Sequence, residues 1–146
     1  MANTLQENTM DAIESWMSFI NVGELATHPN KRTFEDGDND EKSFLYIHSP
    51  GIDPDMEKGI GLWPVRIEIQ VITNKDALTV TQHKAALAAV NAAMMDSEVA
   101  AGLTLWKANF TAYDVTPGGI EELRIDDRKW ITSTMWTVLV MDQDIA

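Results

Sequence analysis

The chain has 146 residues, 45% of them hydrophobic, which suits one domain with a real core and no run near the roughly 18 apolar residues of a membrane span. It has no cysteine, which excludes a disulfide framework and thiolate metal ligation. A net charge of −12, from 23 acids against 11 scattered Lys and Arg, argues against grasping nucleic acid, since that needs clustered cations to neutralise phosphates.

The first predicted element is a helix from Thr4 to about Ile20. Thr4 and Glu7 form a capping-box pattern, and Leu5, Ile13, Trp16, Met17 and Ile20 fall on one apolar stripe. Gly23 is a natural stop after it. From His28 to Lys42 the apolar content collapses, with five acids between Glu35 and Glu41, the composition of an exposed loop. Phe44 to His48 reads as a strand. Ser49 to Leu62, with two prolines and three glycines, reads as a long loop holding Ile52 and Met56.

Residues Trp63 to Met95 carry the clearest pattern. Val65, Ile67, Ile69 and Val71 alternate with Arg66, Glu68 and Gln70, the period of a strand with one apolar and one polar face. Pro64 stands at the start of that strand, where a missing amide donor is tolerated. Thr79 and Gln82 form a second capping-box pattern ahead of a helix with its stripe on His83, Leu87, Val90 and Met94. Its six alanines between Ala85 and Ala93 permit close approach to a sheet. Ser97 is read as the cap of a further turn ending at Gly102.

Trp106 to Val115 is predicted as a strand, ended by a turn at Pro117, Gly118 and Gly119, after which an acidic connection runs to Asp127. Lys129 to Met141 is predicted as a long last strand. Its start alternates, but Val138, Leu139, Val140 and Met141 are all apolar, so both faces are expected to be covered there. The expected fold is a single α+β domain over residues 1–146, a mostly antiparallel four-stranded sheet packed against two main helices, with long loops.

Reaction chemistry finds little to start from. Asp36, Asp38 and Asp40 alternate as calcium ligands do, but an EF-hand counted from Asp36 needs Gly and Glu where Glu41 and Ile47 stand. His28, His48 and His83 have no metal-ligand spacing, and His83, on an apolar helix stripe, reads as a hydrogen-bonded structural histidine. A metal site joining His48 and His83 with Asp53 or Asp55 is the remaining arrangement weighed. There is no GxSxG, and Gly59-Ile60-Gly61 precedes a strand where a nucleotide fingerprint precedes a helix. The expectation is a non-enzyme without cofactor or metal. No basic and apolar leader opens the chain, so no secretory signal is expected and a cytosolic origin is. The five tryptophans and eight methionines point instead to interfaces, where both types are enriched.

The segments "FLYIHSPG", "GLWPVRIEIQVITN", "HKAALAAVNAAM" and "RKWITSTMWTVLVM" follow one another in an order that resembles the tail terminator, or tail-completion, proteins of long-tailed bacteriophages. The likeness covers roughly 100 residues and lies in pattern and order rather than in an invariant motif. It implies a virion protein forming a ring, typically of six subunits, that caps the tail tube and joins it to the head connector. The partners it implies are copies of the chain, the tail tube protein and the connector, with DNA as passing cargo that is not specifically bound, and no membrane. A ring needs two different patches on each subunit. The residues expected to supply them are Met56, Trp63, Arg66, Glu68, Val138 and Val140. The alternatives are another neck, connector or tail subunit, a free-standing peptide or small-molecule binding module, and a hydrolase using acids with His48 or His83.

Overall fold

The computed structural model describes residues 2–19, 44–52, 62–74, 79–105, 110–120, 123–126 and 129–142. In chain order these form helix α1 (Ala2–Phe19), strands β1 (Phe44–Ile52) and β2 (Leu62–Asn74), and helices α2 (Val80–Met95) and α3 (Val99–Thr104). Strands β3 (Phe110–Ile120), β4 (Arg124–Asp126) and β5 (Lys129–Asp142) follow. The main path through the sheet is β1-β2-β5-β3, antiparallel at every junction, and the short β4 pairs with the start of β5. The expected α+β fold, a four-stranded antiparallel sheet against two main helices, is the observed one, with β4 and α3 as minor additions.

Alternation in β2 does what its sequence dictates. Val65, Ile67, Ile69 and Val71 are fully buried and join Val138 and Val140 of β5 and Leu45 and Ile47 of β1 in one core. All three helices pack on that same face: Leu5, Ile13 and Met17 from α1, Ala86, Val90 and Met94 from α2, Val99 and Leu103 from α3. The capping box of α2 is present, since the Gln82 amide donates to Thr79 Oγ1 and the Thr79 amide to Gln82 Oε1. One turn into the helix, His83 is held by Thr73 Oγ1 on Nδ1 and Thr132 Oγ1 on Nε2, each at 2.8 Å, which fixes α2 to both central strands.

Several boundaries differ from expectation. α1 begins at Ala2, so Thr4 and Glu7 lie inside it and are not its capping box. Ser97 does not cap α3, whose N-cap is Glu98, and Gly102 is not a stop but an interior residue of that helix. β3 is described from Phe110, since residues 106–109 of the expected strand lie outside the described residues, and it runs on through Pro117 and Gly118 to Ile120. It does so by a register shift between Pro117 and Gly119, and Gly119 takes φ 131, which only glycine adopts without strain. β1 likewise extends to Ile52 through a shift between His48 and Gly51. The acidic loop Glu35–Glu41, Ile20, Asp53, Asp55 and Met56 lie outside the described residues.

Candidate functional site

With every described helix on one face, the even-numbered residues of β2 turn to the other. Cross-strand pairing builds that outer face outward from them. On β5, Met141, Leu139, Thr137 and Met135 stand opposite Leu62, Pro64, Arg66 and Glu68. On β1, Gly51, His48 and Tyr46 stand opposite Arg66, Glu68 and Gln70. On β3, Thr111, Asp114 and Thr116 continue the rows of Met141, Leu139 and Thr137.

Two zones result. Towards β1 the face is polar and aromatic. The Tyr46 and His48 rings stack, with centroids 5.9 Å apart and planes 10° from parallel, and Gln70 Nε2 donates to Glu68 Oε2 at 3.3 Å. Burial, together with the nearby Glu68 carboxylate, holds the Tyr46 phenol above its ordinary pKa, so it stays a neutral hydrogen-bonding group. The exposed Arg66 reaches across β1, where a Cβ on Gly51 would come within 3.1 Å of a guanidinium nitrogen. Towards β5 the face is apolar, with Leu62, Met135, Leu139 and Met141 all partly exposed. Beyond it, on β3, Thr116 Oγ1 donates to the exposed Asp114 at 3.3 Å. At the opposite end the face closes over, where Ile72 and Ile131 are buried with Tyr46 packed against them.

The expected contact residues divide accordingly. Arg66 is exposed on the outer face and Glu68 partly so, and β2 brings the two together with Tyr46, His48 and Gln70. Trp63 is on the helix side and packs against the chain's own core. Val138 and Val140 are corrected: both are 0% exposed within the chain's own core, opposite Val65 and Trp63, and have no surface to offer. The residues of that strand end that do reach the outer face are Leu139 and Met141. Continuing the alternation of Trp130, Thr132, Thr134 and Trp136 by two more steps puts Val138 and Val140 inside, so the signal was present in the parity. The pairing of Tyr46 and His48 with β2 left no such trace, because register between strands is not written in either one alone.

The proposed joining of His48 with His83 also fails. His83 is buried on the helix side and His48 is exposed on the outer face, so the sheet separates them. Among the described residues no three His, Asp or Glu side chains gather as metal ligands, and no helix is long and apolar enough to cross a membrane. What the outer face offers chemically is a binding surface: stacked aromatic rings, an amide, opposite charges and adaptable thioethers side by side.

No protein-family model matches the chain, and no curated protein is similar to it in sequence.

Proposed function

We propose that this chain is a structural subunit of a bacteriophage virion, made in the host cytoplasm, that closes into a ring at the end of the tail tube and joins it to the head connector. The observation that carries the reading is the outer face of the sheet. Three helices cover one side, while the other presents Arg66, Glu68, His48, Leu139 and Met141 with no described element over them. A sheet face that mixes partly exposed apolar side chains with opposite charges is suited to a protein partner. The net charge of −12 supports the same reading, because acidic walls let DNA pass without the phosphate attraction that would retard it. The resemblance in element order to tail terminators names the ring as the assembly and the connector and tail tube protein as its neighbours.

Localisation tests the proposal. Phage particles carrying an epitope on this chain, labelled with gold-conjugated antibody, are expected to show label at the head–tail junction. Label along the tail or at its far end would make the chain another tail subunit. Particles without label would remove it from the virion.

A further inference from the structure

We infer that copies of this chain join edge to edge, with the β3–β4 edge of one sheet pairing antiparallel with β1 of the next. The inference rests on the ring reading above and adds to it the surfaces that meet. Among the described strands, β1 pairs only with β2 and β3 only with β5. As described, the sheet therefore ends in two different strands, β1 and β3, as a head-to-tail contact requires. Their directions fit as well. β1 is antiparallel to β2, β2 to β5 and β5 to β3, so β1 and β3 point in opposite directions. Two sheets placed side by side in one orientation, as around a ring whose axis follows the strands, bring an antiparallel pair together. That is the geometry of every other junction in this sheet.

Each edge carries a proline and a bulge, at Pro50 on β1 and at Pro117 on β3, but little of the charge that also guards sheet edges, Lys above all. β1 has no Lys, Arg, Asp or Glu, and β3 has Asp114 alone, in a chain that is 23% charged. The β3–β4 edge instead collects large apolar side chains: Tyr113, Ile120 and Ile125 are 53%, 59% and 63% exposed. Ile120 pairs with Thr134, Thr134 with Ile69 and Ile69 with Ile47, so Ile120 stands level with the middle of β1. A neighbour's β1 laid against that edge covers it.

Charge complementarity sets the height. By the same register Gly51 and Thr116 are both level with Arg66. The Arg66 guanidinium lies beside Gly51 at the β1 edge, and Asp114 is two residues from Thr116, about 7 Å along the strand. Each copy thus presents a cation at one edge and an anion at the other, on the same face and at nearly the same height. In a chain of net charge −12 such a matched pair offsets the repulsion between copies.

The absence of cysteine makes the test direct. Chains carrying His48→Cys are mixed with chains carrying Thr116→Cys and treated with a short bismaleimide, with each fold checked by circular dichroism. If His48→Cys fails to fold, Pro50→Cys on the same edge replaces it. A covalent dimer is expected in the mixture at roughly tenfold the yield of either variant alone. Adding Arg66→Asp to the first chain should lose that excess, and adding Asp114→Arg to the second as well should restore it. A dimer formed by one variant alone means that like edges meet, and overturns the inference. Oligomers seen by light scattering with no cross-link in the mixture overturn the edge pairing and leave the ring reading standing. Monomers with no cross-link overturn both.

Discussion

Among the described residues His83 is the one histidine of the core, 1% exposed, with a threonine hydroxyl on each ring nitrogen and the Trp130 ring edge-on at 6.3 Å. A neutral imidazole needs one donor and one acceptor, and two rotatable hydroxyls supply both. Burial lowers its pKa from the ordinary 6.5, so the folded state resists the proton that the unfolded state accepts. The sign follows. His83 imposes no penalty above pH 6.5, and stability falls as pH drops below it towards the lowered folded value. Glu14 acts oppositely, since burial raises its pKa and its contribution favours the fold at lower pH. Urea denaturation of wild type and His83→Gln at several pH values separates the two, because Glu14 cancels in the difference. The wild type is expected to lose stability relative to the variant between pH 7 and pH 5 (values about the ordinary histidine pKa), and a pH-independent difference would refute this. His83→Leu, which leaves both hydroxyls buried and unpartnered, should cost about 1–3 kcal/mol at neutral pH. That His83 is structural was legible from its stripe. Its partners were not, because Thr132 lies 49 residues further along the chain.

At the scale of elements, the three helices meet at Trp16. Its indole Nε1 donates to the Ala93 carbonyl at 3.0 Å, near the end of α2, and its ring lies where a Cβ on Gly102 of α3 would have to go. Gly102 is thus required by close approach rather than by a chain reversal, which is why reading it as a helix stop misplaced it. Gly102→Ala should gain about 1 kcal/mol in helix propensity and lose about 1–3 kcal/mol to overpacking, a net destabilisation. In a Trp16→Leu background the same change should turn stabilising. Chemical denaturation of the four chains measures the reversal, and a Gly102→Ala effect that keeps its sign in both backgrounds would deny the contact. Alternation made β2 and the start of β5 legible, and the capping box at Thr79 fixed the start of α2. The extensions of β1 and β3 were not legible. Pro50 and Pro117 read locally as turns, whereas the sheet absorbs them at bulges in its edge strands, where no described strand of the same chain needs the missing amide donor.

For the whole molecule, the last of the described strands is a central one: β5 lies between β2 and β3 and holds the two sides of the sheet together. All described helices lie on one side of this sheet, so on the ring reading contacts with neighbours fall on the outer face and the edges. Arg66→Glu changes an exposed side chain at that boundary, so folding stability should move by no more than about 0.5 kcal/mol. Incorporation into particles should nonetheless fall sharply, as judged by immunoblot of purified phage. Normal incorporation would take Arg66 out of the contact. The measurement that goes straight to the central claim is the mass of the purified chain by size-exclusion chromatography with light scattering. A subunit of 16.3 kDa that works by closing on its own copies should elute as one species at a whole multiple of that mass, unchanged on dilution. A species that stays at the mass of one chain at every concentration would contradict it.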